Sequence, residues 1–472
     1  MLPNGTDASN RSTRRLYLGR VAVMLAALVA YANAIPNEFV WDDLTQVEHN
    51  PFIREPANAL RAFQLSYWAA SSASPGAAPG HYRPLTTASY VLSWATTGDS
   101  PAGFRIVNLA FHAANALLVT LLALELGIGA PWTLVAGLVF ALHPVNSEAV
   151  DWVVGRAELA ATFGSLLCLW LLIRFPGRRR PAILAAGALL VGLLFKESAA
   201  SAVLIVTAWE FARSEGRLAQ RTRAGLRAAI PAMVAVLAYL AIRTAAIGVA
   251  HYDERFFVGV AGWQVALTMT RIVLQYGWLL VAPFNLRAHY DLVDFPVPNS
   301  LMDLAALTSL AIVVSVVGAI AWGLYRREST AIAAAWMVAG LAPYLHIVPF
   351  RWLMAERFLY ASTVGYGLLV ALGADALRAR LAPHISSVRL ATMCAIAIAV
   401  VFVPRVVTRN AVWADEITFF SKMTEQEPDL VGARVALSDA LNRRGRFPEA
   451  MREIEMAYRL GWKPDLLPDA SP

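Results

Sequence analysis

An acidic pair, Asp42 and Asp43, directly follows the first apolar stretch of the chain and is the feature best suited to chemistry. Two adjacent carboxylates at a membrane surface repel each other and lose hydration, which is costly unless a cation or a substrate compensates. A carboxylate in that position can act as a general base toward a hydroxyl group. The alternative is a pair of solvated loop acids without a chemical role.

Basic side chains occur near the acidic pair and at later turns between apolar blocks. An anionic leaving group, such as a phosphate, requires arginine or lysine beside the acid. We therefore predict that five residues bind the phosphate of a donor: Arg83, Arg156, Lys196, Arg351 and Arg357. A local ion pair of Lys196 with Glu197 is the structural alternative for that turn.

Further polar residues recur at the same turns, and groups this dense at membrane level usually face a water-filled cavity. We predict that this cavity is lined by Tyr82, His112, His143, Glu148, Glu158, Glu197 and Glu356. Helix capping by Asn146 or Ser147 explains part of the pattern. His112, a lone histidine on an apolar helix, is more typical of an interhelical hydrogen bond.

Metal and nucleotide chemistry have no signature in this sequence. The eight histidines show no paired spacing typical of a metal site, and there is no phosphate-binding loop or dinucleotide fingerprint. We therefore predict no bound cofactor and no metal ligands. The net charge of +7 comes from arginines between apolar blocks, which is typical of topology signals rather than of nucleic-acid binding.

The elements that position these residues are predicted to be membrane helices. The chain is 58% hydrophobic and 15% charged, and its apolar blocks have about the length that crosses a 30 Å hydrocarbon core. Because arginine-rich interruptions favour the cytoplasm, the spans between them must pair. This predicts an all-α polytopic bundle with eleven spans: 19–35, 104–126, 131–147, 157–174, 181–196, 198–213, 228–248, 302–325, 331–348, 358–377 and 389–404.

The same topology puts two long loops, 36–103 and 250–300, and the carboxyl terminus outside the cytoplasm. The apolar stretch from Trp263 to Phe284 does not fit the count. Its polar residues Gln264, Thr268, Arg271 and Gln275 form one stripe at helical spacing. We interpret it as an amphipathic helix at the outer interface, or as a re-entrant helix facing a cavity.

The chain divides into a membrane domain, 1–404, and a charged helical tail, 405–472. Small and apolar residues in the tail follow the spacing of a tetratricopeptide repeat, a helical hairpin of about 34 residues: Leu437, Leu441, Gly445, Ala450, Ile454 and Ala457. One and a half repeats are too few to be stable alone, so they must pack against the membrane domain, a partner or another copy of the chain. Capping or docking and peptide recognition both remain open.

Seven motifs in order carry a resemblance to a known family: Trp41-Asp-Asp43, Tyr82-Arg-Pro-Leu-Thr86, Phe104 to His112, His143 to Val150, Val154 to Glu158, Lys196-Glu197 and Glu356 to Tyr360. The chain resembles the transmembrane and tetratricopeptide-repeat-containing O-mannosyltransferases, relatives of the protein O-mannosyltransferases with the GT-C fold. It departs from them in its short tail, because family members usually carry a long repeat array and this chain has about one and a half repeats.

The resemblance implies a glycosyltransferase that moves a sugar, mannose by analogy, from a polyprenyl phosphate to an acceptor hydroxyl of protein Ser or Thr. It also implies that an acid of the first outer loop is the base, and we favour Asp43 over Asp42. The alanine- and arginine-rich composition favours a bacterial inner membrane, with the catalytic loops outside the cytoplasm. The alternatives are a lipid-linked sugar transporter or flippase and a membrane-anchored repeat scaffold.

Overall fold

The computed structural model describes residues 5–71, 80–248 and 256–463, and within these ranges the regular structure is helical, with no strand. The first half contains α1 Gly5–Ala30, α2 Asn58–Arg61, α3 Pro84–Thr97, α4 Pro101–Glu125, α5 Ala130–Leu142, α6 Ser147–Asp151, α7 Arg156–Arg174, α8 Arg179–Phe195, α9 Ala202–Arg213 and α10 Leu218–Ala228. The second half contains α11 Ile230–Ile247, α12 Gly262–Val281, α13 Leu304–Tyr325, α14 Ser329–Leu341, α15 Ser362–Leu381, α16 Ser387–Val412, α17 Glu416–Gln426, α18 Val431–Arg443 and α19 Phe447–Arg459. The predicted all-α class is confirmed.

Each of the eleven predicted apolar blocks contains a helix, but the helices differ in length and in apolar character. Among the described residues, six are long and apolar enough: Leu16–Ala34, Pro101–Glu125, Val153–Arg174, Ile230–Ile247, Leu304–Tyr325 and Ser387–Val412. Several of these expose large aliphatic side chains, as a lipid-facing surface does. The chain is therefore a multi-pass membrane protein, and the count of eleven spans stays a prediction.

A sharp break interrupts the third predicted span. Helix α5 ends at Leu142, Pro144 follows, and the axis of the next helical segment is bent by 46°. The His143 ring stabilises the break because its Nδ1 accepts a hydrogen bond from the backbone N–H of Val145 at 3.3 Å. The break directs the polar run from Asn146 to Asp151 into the protein interior, where every residue of it is buried.

Helix α12, which we predict to be amphipathic, uses its polar stripe to hold the loop that follows it. Gln264 donates to the carbonyl of Pro298 at 2.9 Å, and Arg271 donates to that of Pro296 at 2.9 Å. A neighbouring face packs Ile272 and Tyr276 into an apolar cluster. The helix is absent from the candidate spans found in the described part of the chain, and its relation to the membrane stays a prediction.

Within the described residues the tail forms three helices, α17, α18 and α19, and the first of them packs against the first loop. Asp415 caps α17 by accepting from the backbone N–H of Thr418 at 2.9 Å. Gly445, with φ 73°, closes the turn between α18 and α19. Phe419 packs against Trp413 and against Trp41 of the first loop. The tail thus supports the segment that carries the acidic pair, while its division as a separate repeat domain stays a prediction.

Candidate active site

A cavity of about 290 Å³ collects charged side chains from turns that are far apart in the sequence. Its ionisable lining residues are Asp42, His81, Arg83, Glu158, Lys196, Glu197, Arg351 and Arg357. Asp42 comes from the turn after α1, Lys196 and Glu197 from the turn after α8, and Arg357 from the turn before α15. Seven of the predicted site residues therefore lie around one space.

Asp42 is the carboxylate of the acidic pair that lines this cavity. It follows Trp41, whose φ of 63° is a strained conformation for a bulky residue. Within the described part of the chain, no hydrogen bond reaches the Asp42 carboxylate. Burial is the main cause that raises the pKa of Asp42 to about 7. The positive charges of Arg357 and Arg351 oppose this rise, and the negative charge of Asp43 adds to it. The charge of Asp42 therefore changes near neutral pH.

Asp43 is completely buried and does not line the cavity. Its Oδ1 accepts from the backbone N–H of Val154 at 2.9 Å, and its Oδ2 accepts from those of Val153 at 3.3 Å and Val40 at 3.4 Å. Burial raises the pKa of Asp43 to about 7, against the opposing effect of Arg105. These bonds fasten the first loop to the turn before α7, which is a structural role.

Arg357 lines the cavity and forms an ion pair with the buried carboxylate of Glu148. Its backbone N–H donates to Glu148 Oε2 at 2.9 Å, and its guanidinium Nη1 donates to the other oxygen of Glu148. The guanidinium carbon lies 5.1 Å from the ring centroids of both Trp152 and Trp352. Glu148 itself does not line the cavity; it holds the cation in place.

Arg83 and Glu197 form a second charged pair in the cavity. Arg83 Nε donates to Glu197 Oε2 at 3.1 Å, and Nη2 donates to Oε1 at 2.6 Å. The ring of His81 lies 3.4 Å from the same carboxylate. Burial alone raises the pKa of Glu197, but Arg83 and His81 hold it well below its usual range. The Glu197 carboxylate therefore stays ionised and orients the guanidinium.

Lys196 and Glu158 form a third pair, which is buried. The Lys196 ammonium donates to Glu158 Oε2 at 2.5 Å, and the Tyr344 hydroxyl donates to the same oxygen at 2.7 Å. The ammonium also lies 5.2 Å from the ring centroid of Tyr344 and 5.4 Å from that of Phe358. The alternative of a local Lys196–Glu197 pair is wrong, because the partner of Lys196 is Glu158.

Arg351 is the exposed cation of the cavity, and aromatic rings fill much of the remaining wall. The rings that line the cavity are those of Tyr67, Trp68, Trp152, Tyr344, Phe350, Trp352 and Phe358. Their apolar faces offer flat packing surfaces, while the tyrosine hydroxyls offer polar contacts. The cavity thus combines four cations, aromatic walls and one carboxylate that has no hydrogen-bond partner among the described residues.

Arg156 does not line the cavity, although we predict that it binds phosphate. It is completely buried and donates to the Asn108 side chain, to Ser93 and to the carbonyls of Ser89 and Phe104. Its guanidinium also packs on the rings of Tyr90 and Phe104. All of these partners are internal, so Arg156 joins α7 to α3 and α4. Its placement at a ligand is corrected to a structural role.

Tyr82 and His112 are likewise structural and lie outside the cavity lining. The Tyr82 hydroxyl donates to the carbonyl of Phe63 at 2.9 Å. His112 contacts the Tyr360 hydroxyl at 2.8 Å through Nδ1 and the carbonyl of Ala141 at 3.0 Å through Nε2. Both histidine nitrogens therefore serve contacts between helices, which matches the interhelical interpretation of this residue.

His143 and Glu356 also belong to the supporting structure rather than to the cavity wall. His143 Nε2 lies 2.8 Å from the carbonyl of Leu280, which ties the break after α5 to the end of α12. Glu356 accepts from the backbone N–H of Arg287 at 2.5 Å, from the Tyr290 hydroxyl at 2.9 Å and from Arg409 at 3.1 Å. Glu356 thus anchors the turn that carries Arg357.

Sequence reasoning missed several residues that shape the site. His81 is two residues before Arg83 and carries the usual signal of a polar residue at an outer turn. Arg105 donates to the carbonyls of Asn37 and Glu38 and so holds the loop before Asp42. The aromatic lining had no sequence signal, because tryptophan and phenylalanine are common throughout a membrane protein.

Metal binding has no support from geometry in the described ranges, where no group of three or more His, Cys, Asp or Glu side chains could hold an ion. That no residue of the chain is a metal ligand stays a prediction.

Fold and site together define a multi-pass helical membrane protein with a charged, aromatic-walled cavity. No protein-family model matches the chain. It is 23% identical over 441 residues to protein O-mannosyl-transferase F38B6.6 of Caenorhabditis elegans, covering 92% of this chain and 61% of that protein. It is 34% identical over 142 residues to mouse protein O-mannosyl-transferase TMTC2, covering 30% of this chain and 17% of that protein. The resemblance predicted from the motifs is confirmed.

The chain spans less than two thirds of the length of these two relatives. Among solved structures, ArnT from Cupriavidus metallidurans aligns with a TM-score of 0.49 and 15% identity, covering 93% of this chain and 75% of that one.

Proposed function

We propose that this chain is a glycosyltransferase that moves a sugar from a polyprenyl phosphate to an acceptor hydroxyl on the non-cytoplasmic face of the membrane. One observation carries the proposal: the Asp42 carboxylate lines the same cavity as Arg83, Lys196, Arg351 and Arg357. The relatives named as protein O-mannosyl-transferases support mannose as the sugar and a protein Ser or Thr as the acceptor.

The proposed base is Asp42, which replaces Asp43 as the favoured residue. A general base must reach the proton that it abstracts, and its pKa should lie near the working pH. Asp42 lines the cavity and has a pKa of about 7. Asp43 has a similar pKa, but its two oxygens already accept three backbone hydrogen bonds away from the cavity.

The four cations are proposed to hold the phosphate of the donor. Charge on that phosphate increases as its bond to the sugar breaks, and fixed positive groups in a buried site stabilise such charge strongly. Glu197, Glu158 and Glu148 pair with Arg83, Lys196 and Arg357 respectively. These pairs position the cations in advance, so that little reorganisation is needed when the donor binds.

The reaction that we propose is a single displacement. Asp42 accepts the proton of the acceptor hydroxyl while the hydroxyl oxygen forms a bond to the anomeric carbon of the sugar. The bond from that carbon to the phosphate oxygen breaks, and the electron pair stays on the phosphate. The phosphate needs no protonation to leave, so the cations replace a general acid. Attack opposite the leaving group inverts the anomeric configuration.

The purified protein in liposomes tests the donor class directly. We expect transfer of label from mannosyl polyprenyl phosphate to a Ser- and Thr-rich peptide, and no transfer from guanosine diphosphate mannose. The matched control is an Asp42→Asn protein in the same liposomes. Transfer from the nucleotide sugar, or vectorial movement of the lipid without any transfer, would contradict the proposal and favour another class of protein.

A further inference from the structure

A second charged space lies apart from the proposed active site, at the junction of the membrane part and the tail. This basic crevice has a volume of about 500 Å³ and lies between the end of α12, the last turns of α16 and the side of α17. It is lined by Pro283, Phe284, Asn285, Leu286, Arg287, Arg405, Thr408, Arg409, Val412, Lys422 and Gln426. It shares no lining residue with the cavity around Asp42.

The ionisable residues that line the basic crevice are all cationic: Arg287, Arg405, Arg409 and Lys422. The acids that pair with three of them are absent from the lining. Arg287 contacts Asp294 and Glu427, Arg409 contacts Glu356, and Lys422 contacts Glu425. Arg405 has no acidic partner among the described residues. The crevice therefore presents donors and positive charge to anything that enters it.

One buried donor in the wall points to a ligand. Arg409 is only 6% exposed, and its Nε has no hydrogen-bond partner in the part of the chain that the structure describes. Its other nitrogens donate to Glu356 and, at 3.4 Å, to the carbonyl of Leu286. A buried N–H without an acceptor costs about 1–3 kcal/mol. Arg409 lines the basic crevice, so an anion bound there would lie beside this guanidinium.

The rim of the basic crevice is apolar, which favours a lipid over a soluble anion. Arg405 follows the apolar run of α16 and packs its guanidinium 4.5 Å from the Phe284 ring centroid. Phe284, Val281 and Val401 are exposed large hydrophobic residues. Arginine beside exposed aromatic and aliphatic groups is typical of the level at which lipid headgroups meet the hydrocarbon core.

We propose that the basic crevice binds the phosphate group of an anionic membrane lipid, with Arg405, Arg409 and Lys422 as its donors. The acyl chains of the lipid lie against the apolar rim. Guanidinium groups suit phosphate because several N–H donors converge on its oxygens. Such a lipid would join α16 to α17 and so support the tail helix that packs on Trp41.

Native mass spectrometry of the purified full-length protein, titrated with phosphatidylglycerol, tests the site. We expect the double variant Arg405→Gln, Lys422→Gln to bind phosphatidylglycerol about tenfold more weakly, as loss of charge-assisted contacts predicts. The matched control, Arg178→Gln with Arg179→Gln, changes two exposed arginines that do not line the crevice and should bind as the parent does. Far-ultraviolet circular dichroism checks that both variants are folded.

Two further measurements distinguish binding of a lipid phosphate from binding of free inorganic phosphate. Phosphatidylcholine should bind at least tenfold more weakly than phosphatidylglycerol, and inorganic phosphate should compete only at far higher concentration than the lipid. The proposal is overturned if the double variant and its control bind phosphatidylglycerol equally. It is also overturned if inorganic phosphate competes as well as the lipid does, because the crevice would then be a soluble-anion site.

Discussion

Asp43 accepts hydrogen bonds from the backbone N–H groups of Val153 and Val154, whereas its sequence neighbour Asp42 lines the charged cavity. The two acids therefore have different physical tasks. Asp43 fixes the first loop against the turn before α7, and that attachment determines where Asp42 stands. This relationship separates a positioning residue from a proposed catalytic one, and it allows the two to be told apart by experiment.

Transfer should depend on pH through Asp42. A base must be deprotonated to act, and burial raises the pKa of Asp42 to about 7. We expect kcat/KM to be half-maximal near pH 7, about tenfold below its plateau near pH 6, and constant above about pH 8. Initial rates between pH 5.5 and 9 at a low donor concentration measure this profile. A rate that is constant from pH 5.5 to 8 would contradict the assignment of Asp42 as the base.

Removing Glu148 should destabilise the protein, because Arg357 would remain buried without its acid. Breaking such a buried pair costs about 3–5 kcal/mol. We expect Glu148→Gln to lower the melting temperature clearly in a thermal unfolding assay. The double variant Glu148→Gln, Arg357→Gln should regain part of that stability while remaining inactive. If the double variant were no more stable than the single one, the two residues would not be coupled.

Arg83→Lys tests the pairing with Glu197. Lysine keeps the charge but loses the two-point contact of Nε and Nη2 with the carboxylate. We expect the KM for the lipid donor to rise about tenfold, with little change in melting temperature. Arg54→Lys, at an exposed arginine outside the cavity lining, is the matched control. An unchanged KM in the Arg83 variant would remove Arg83 from the phosphate site.

The predicted topology can be tested with single cysteines in a chain that lacks Cys168 and Cys394. Asp99 and Thr222 are both exposed residues, in the loop before α4 and in α10 respectively. We expect Asp99→Cys to react with an impermeant maleimide added to intact cells, and Thr222→Cys to react only after the membrane is opened. The reverse pattern would place the site on the cytoplasmic face.

Much of the architecture could be predicted from sequence, because apolar blocks of membrane length leave few alternatives to helices. The convergence of Asp42, Arg83, Lys196 and Arg357 was also predictable, since each lies at a turn on one predicted side. What sequence could not supply was the partner of each polar residue. Arg156, His143 and Glu356 occur at similar turns, yet internal carbonyls and side chains satisfy them.

The choice between Asp42 and Asp43 shows the same limit. Burying either of two adjacent aspartates has the same energetic cost, so neither composition nor spacing indicates which of them faces the cavity. Only the fold shows that backbone N–H groups from the turn at Val153 reach Asp43 and leave Asp42 facing the cavity. The strained Trp41, which precedes them, also has no signature in the sequence.

The most direct test compares Asp42→Asn with Asp43→Asn in the same transfer assay and the same melting assay. We predict that Asp42→Asn lowers the transfer rate by about 10²–10⁴-fold while donor binding and melting temperature stay unchanged. Asp43→Asn should lower the melting temperature and retain activity in the folded fraction. Full transfer activity in Asp42→Asn, together with a folded but inactive Asp43→Asn, would contradict the account.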